Sequence, residues 1–325
     1  MANLKEIRNR ITSVSSTMQI TSAMKMVSAA KLKKAQDAIT AMRPYANKLT
    51  QLLQTLSASL DGDSGSKFAE EREVKSVLIV PVTSNRGLAG AFNTNIIKEA
   101  KHLAATEYAG KKVDFYTIGK KGNDILKKTH SVIQNNNAIF DALDFESVSV
   151  IAEKLMELFM EGKYDKIVLV YNQFKNAATQ IVVKEQFLPI IPMQLAEEST
   201  VNQNSDYIFE PSKEEIVNQL IPKSLKTQLF TGIRDSVASE HGARMTAMHK
   251  ATDNATELRD ALKLSYNKAR QASITNEILE IVGGAEALTI RRSDGGAKFS
   301  KLRSTEQLGG AMAAPNFQNC EALNN

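Results

Sequence analysis

The chain has 325 residues, 42% hydrophobic and 24% charged, with 6% aromatics, no tryptophan and one cysteine; this is a soluble globular balance, long enough for one large or two modest domains, and it excludes a disulfide-built scaffold. No run approaches the roughly 18 apolar residues of a membrane span, and the charged start MANLKEIRNR lacks the apolar core of a signal peptide, so a cytoplasmic protein is expected. The net charge is only +5, yet residues 2–48 hold nine basic side chains against Glu6 and Asp37, a local surplus that suits an acidic partner.

Residues 1–60 read as one long helix. Leu4, Ile7, Ile11, Val14 and Met18 step by three and four, and Ala35, Ile39, Met42, Ala46, Leu49, Leu53, Leu56 and Leu60 resume the rhythm. Alternating steps of three and four mark a coiled-coil seam rather than a wide globular face. Pro44 is the one interior breaker and is expected to kink or divide the helix. Between the two runs, ITSAMKMVSAAKLKKAQ thins the seam to small and thioether side chains, which pack adaptably.

After a loop-like DGDSGSKFAEERE, residues 74–192 alternate strand and helix signals. SVLIVPV, KVDFYTI and KIVLVYN read as buried strands, with helices near 94–109, 120–128 and 146–161 between them. This pattern predicts a doubly wound, Rossmann-like α/β domain with parallel strands. ATQIVVKEQFLPI adds a further strand. Residues 206–288 then read as a second helix, opened by Pro211, Ser212 and the acids after Lys213. Met245, Met248, Thr252, Ala255, Leu258, Leu262, Ile274, Ile278 and Ile281 line one face. A helix of about 70 residues, near 100 Å at 1.5 Å per residue, must pair outside a small domain. The N-terminal helix is the expected partner, antiparallel, so that both ends of the chain form one shaft. Residues 289–325 have no period and read as a largely disordered tail.

The usual site motifs fail. No GxxxxGKS/T phosphate loop occurs, and Gly87 and Gly90 of SNRGLAGAFN do not make GxGxxG. Gly119 and Gly122 bracket two lysines in TIGKKGNDIL, the GxxG of an RNA-clamping KH loop; here a strand, not a helix, leads into it. That loop and the basic first helix leave a nucleic-acid-binding module as the rival reading. His241 and His249 sit eight apart, not at the i, i+4 spacing of a zinc pair. No nucleophile–base set, cofactor site or metal site is suggested, so an enzyme is not expected.

The combined pattern resembles the gamma subunits of F-type ATP synthases. ITSAMKMVSAAKLKKAQ, RPYA, TSNRGLAGAFN and the run from EHGARMTAMHK to IVGGAEAL carry the likeness, over roughly residues 1–288. The resemblance implies a non-catalytic rotary shaft inside a ring of alpha and beta subunits, with its α/β domain at the foot beside the epsilon subunit and the membrane ring of c subunits. It implies no nucleic acid and a peripheral place on the cytoplasmic face of a bacterial membrane. It further implies that Arg270 and Gln271 form the catch for a beta-subunit loop. Met24 and Lys25 would lie near acidic beta-subunit loops, with Arg244 at about that level, and Tyr207 in the foot near the c ring. This chain carries Ala89 and Ala91 where similar chains often carry cysteine and glycine, and 37 residues follow Leu288, where such chains stop.

Overall fold

The computed structural model describes residues 4–58, 68, 72–190 and 213–293; Tyr207, the loop before residue 68 and most of the expected tail lie outside them. The order is α1 (Leu4–Ala58), β1 (Ser76–Pro81), α2 (Phe92–Ala105), β2 (Lys112–Ile118), α3 (Lys120–Leu126), β3 (Val132–Asn136), α4 (Phe145–Met160), β4 (Lys166–Phe174), β5 (Gln180–Leu188) and α5 (Lys213–Ser293). The five strands form one sheet in the order β3-β2-β1-β4-β5. The first four are parallel, and β5 returns antiparallel to β4 through a short hairpin.

The sheet arises as its sequence predicts. Residues alternate between two faces along each strand, and both faces are covered, so the strands read as continuous apolar runs. Leu78, Val80, Ile167 and Leu169 join one cluster with α4 and with Ile221, Leu225, Leu229 and Ile233 of α5. Val77, Ile79, Val168 and Val170 join the other cluster with Phe92, Ile96 and Leu103 of α2. The edge strand VIQNN, partly exposed and polar, has no apolar run and escaped the sequence reading.

Helix α1 runs without a break through Pro44, so the proline does not divide it. Pro44 is exposed, and the carbonyl left without an intrahelical donor there can turn to water. Helix α5 is 81 residues long. It includes Pro222 and continues through Ser293, past the Leu288 boundary.

The chain divides into two compact units, Asn9–Leu262 and Met1–Arg8 with Lys263–Asn325. Within the first, α1 and α5 run antiparallel. Ala35 and Ile39 meet Ala238, Thr21 meets Thr252, and Met18 meets Thr256 and Arg259. Thr21 and Ser28 are buried, so the seam carries on through the segment where its apolar rhythm thins. Leu258, expected on the seam, is exposed. Met248, Thr252, Ala255 and Arg259 occupy the three-and-four steps instead, one position out of phase with it. In the second unit Ile274, Ile278 and Ile281 are exposed too; only residues 4–8 of α1 belong to that unit, too few to cover them.

Candidate functional site

Parallel doubly wound sheets take ligands outside the carboxyl ends of the strands, where the strand order reverses. Here that point lies between β1 and β4, and α5 fills it. Ser236 Oγ donates to the Val82 carbonyl at 3.5 Å and Ser239 Oγ to the Asn172 carbonyl at 3.0 Å. Gly232 lets α5 approach the Tyr171 ring, and a Cβ at Gly242 would stand 3.1 Å from the Ala177 carbonyl oxygen. Thr246 Oγ1 donates to that same carbonyl, tying α5 to the β4–β5 hairpin.

A buried polar cluster sits at this junction. Arg244, 8% exposed, pairs with Glu240, also 8% exposed, at 2.7 Å. The same Arg244 Nη2 lies 3.5 Å from the Arg86 carbonyl and 3.3 Å from that of Gly87. Burial raises the Glu240 pKa, and the cations Arg244, Lys31 and Arg86 oppose the rise. Burial, reinforced by Arg244 and Lys31, pushes His241 down to about 4, so it is neutral near pH 7. Six residues before His241, burial raises Asp235 to about 6 against the pull of Arg43, with Glu185 adding to the rise. Neither Asp235 Oδ1 nor His241 Nδ1 has a hydrogen-bond partner among the described residues.

The turn after β1 is built from the opposite side. Ser84 N donates to Asn93 Oδ1 at 2.9 Å and Ser84 Oγ to the Arg86 carbonyl at 2.6 Å. Asn85 bridges to the Asn137 carbonyl and to the Lys120 amide. At the tip Leu88 has φ +62° and is 64% exposed. The GKKG segment serves packing: Gly119 (φ +104°) and Gly122 both abut Thr83, whose hydroxyl accepts from the Gly122 amide at 2.9 Å. Strand β2 leads directly into it, as a KH loop would not.

The residues singled out from the sequence fall in separate places. Met24 and Lys25 are half-buried on α1, Arg244 is buried at the junction, and Arg270 and Gln271 are exposed on α5. Sequence reasoning missed Glu240, though its i, i+4 spacing to Arg244 within a run of small residues is a legible signal. It also missed Ile20 and Val27, 60% and 56% exposed seven residues apart on α1. Among the described residues no His, Cys, Asp and Glu group could hold a metal ion, and no helix is long and apolar enough to cross a membrane. A shallow cavity of about 250 Å³ lies between α4 and β3, lined by Tyr116, Gln134, Asn136, Val150, Glu153 and Glu157.

Comparison with known proteins adds a family. Residues 3–288 match the model of the family described as ATP synthase. The chain is 74% identical over 288 residues to the ATP synthase gamma chain of Christiangramia forsetii, covering 89% of this chain and 99% of that one. The gamma chain of Flavobacterium psychrophilum is 73% identical over the same shares. Among solved structures, a chain of the Euglena gracilis mitochondrial ATP synthase, OSCP/F1/c-ring, shares the fold, with a TM-score of 0.66 and 21% identity over 93% of this chain and 98% of that one.

Proposed function

Because this chain belongs to the ATP synthase gamma chains, we infer that it is the rotary central stalk of an F-type, proton-translocating ATP synthase, a non-catalytic subunit of that complex. Rotation driven by proton flow through the c ring turns the paired terminal helices inside the alpha–beta ring, and the turning shaft changes the beta-subunit sites in succession. The observation that carries this reading is the extent of the likeness: it runs over 99% of its relatives, both terminal helices included. The junction supports it physically. A doubly wound sheet whose switch point is filled by its own helix is anchored to a shaft rather than open to a small ligand.

In this reading the alpha and beta subunits surround the helices, and the epsilon subunit and c ring meet the α/β domain. Residues 1–60 and 206–288 are the shaft, which α5 continues to Ser293, and 74–192 the foot. The chain is peripheral to the membrane, held there through the complex, and we place it on the cytoplasmic face of a bacterial cell. Met24 and Lys25 would face acidic beta-subunit loops, with Arg244 near their level; Arg270 and Gln271 would engage a beta-subunit catch loop, and Tyr207 the c-ring side of the foot. The exposure of Arg270 and Gln271 supports that role. So does the exposed apolar face of Ile20 and Val27, since an uncovered apolar face suits a partner. Charge pairs at such a moving contact set attraction and register more than tight affinity.

Reconstitution tests the proposal. Alpha and beta subunits with this chain should form a cooperative ATPase, and the chain alone should hydrolyse nothing. Full cooperative activity from alpha and beta without it, unchanged on its addition, would overturn the reading.

A further inference from the structure

Arg244 carries a charge that is buried within the chain, 8% exposed. Its counter-ion is one turn back on the same helix, and its guanidinium also donates to two main-chain carbonyls of the turn after β1. The arrangement ties helix to turn. Glu240 holds the guanidinium at 2.7 Å, and the guanidinium reaches the carbonyls of Arg86 and Gly87. Gly90 (φ +57°) adds a second point of approach, since a Cβ there would lie 3.8 Å from the Ala247 Cβ.

The turn is therefore gripped from both sides. Ser84 Oγ holds the Arg86 carbonyl from the sheet, and Arg244 holds it from α5. Ala89, just after the tip, is 2% exposed. Leu88 projects, 64% exposed, in a left-handed backbone conformation that L side chains rarely adopt. Such a conformation persists only where its surroundings over-determine it. The Arg244 grip and the Ser84–Asn93 hydrogen bonds supply that determination.

We propose that Glu240 and Arg244 are positioning residues: their buried ion pair latches the Arg86–Gly87 turn to α5 and so holds Leu88 as a rigid contact for the subunits around the shaft. This rests on the central-stalk reading for its consequence but not for its geometry. Arg244 then acts through the turn, and the partner meets Leu88. A rigid tip moves with the helix and passes rotation on, whereas a loose one yields when pushed.

The test uses two readouts. In the full chain with Cys320→Ser, a nitroxide on Leu88→Cys reports tip mobility. Arg244→Lys keeps the charge beside Glu240 but lacks the planar fork that spans carboxylate and carbonyls. Its spectrum should show the label moving at least about threefold faster, with the melting temperature of the chain little changed. The double variant Glu240→Arg/Arg244→Glu restores an i, i+4 pair but turns a carboxylate toward the two carbonyls, so it should also leave the tip mobile. In the membrane-bound complex, with Leu88 intact, both variants should pump at least about threefold fewer protons per ATP hydrolysed while hydrolysis continues. Unchanged mobility in Arg244→Lys overturns the latch. A mobile tip with an unchanged proton-to-ATP ratio overturns the positioning role, and so does a large fall in melting temperature with a full ratio. A wild-type chain that does not join alpha and beta subunits overturns the central-stalk reading instead, and the label experiment on the chain alone still decides the latch.

Discussion

The hydroxyls of Thr21 on α1 and Thr252 on α5 lie 2.8 Å apart, and each also reaches a carbonyl of its own helix, Met18 at 3.1 Å and Met248 at 2.8 Å. Two protons serve three contacts, so at most one hydroxyl donates across the seam while the other donates backwards. The link between the helices is therefore exchangeable at little cost.

That sharing predicts a small coupling. Thr21→Val or Thr252→Val leaves the partner hydroxyl still satisfied by its own carbonyl, so each should cost no more than about 1 kcal/mol. The double variant, isosteric and apolar on both sides, should match or exceed the parent chain. Chemical denaturation of all four proteins in a double-mutant cycle measures this. A loss of several kcal/mol in either single variant would show the pair to be a fixed cross-link.

Gly119 gives a sharper stability test. An alanine Cβ there would stand 2.1 Å from the Thr83 carbonyl oxygen, on a backbone with φ +104°. Gly110 has φ +79° but nothing within 4 Å of the built position. Gly110→Ala should therefore cost only the left-handed strain, about 1–2 kcal/mol. Gly119→Ala adds a main-chain collision and should cost clearly more, up to failure to fold. Equal melting temperatures for the two variants would contradict the geometry.

The two glycines also show where sequence reading stops. GKKG looks like a phosphate clamp because spacing alone cannot show that Thr83, 36 residues before Gly119, fills the space above it. Strands β1, β2 and β4 were legible because both sheet faces are covered and their residues run apolar. The polar edge strand β3 was not, since pairing rather than burial makes it a strand. For Arg270 and Gln271 the resemblance names a contact role, and the structure shows only that both are exposed. The resemblance set Arg244 near the level of the beta-subunit loops but could not supply its carbonyl partners, because Arg86 and Gly87 are far away in the chain. The seam's phase at Leu258 failed for a related reason: Arg259, reaching toward Met18 Sδ, takes a position that apolar periodicity assigns to leucine.

Two buried groups on α5 pull stability in opposite directions with pH. Asp235, 5% exposed, has a folded pKa of about 6 against an ordinary 3.8. The folded state holds its proton more tightly, so this contribution to stability is full below pH 3.8 and is lost as pH rises through 6. That rise corresponds to about 3 kcal/mol. Arg43 on α1 opposes the shift and Glu185 on β5 reinforces it. His241 has a folded pKa of about 4 against 6.5; the unfolded state binds its proton more tightly, so its contribution is full above pH 6.5 and is lost as pH falls toward 4. The two slopes oppose each other across this window. Asp235→Asn should leave the histidine slope, with stability falling as pH drops from about 6.5 to 4. His241→Gln should leave the aspartate slope, with stability falling as pH rises from about 4 to 6. Urea denaturation at several pH values reads both; parallel curves for the two variants would refute the assignment.

Arg270 separates shaft contact from shaft folding. It is exposed on α5, as is Gln271 beside it, so its charge is solvated in the free chain and reversal should change stability by less than about 0.5 kcal/mol. In the complex the same side chain is proposed to face a beta-subunit loop, where placing like charges together costs far more than in water. Arg270→Glu should therefore leave the melting temperature of the chain unchanged and lower ATP-driven proton pumping in membranes at least about threefold. Arg270→Gln, which removes the charge without reversing it, should fall between the two. A melting temperature that drops with Arg270→Glu would make Arg270 a structural residue of α5. Unchanged pumping in both variants would remove it from the contact altogether.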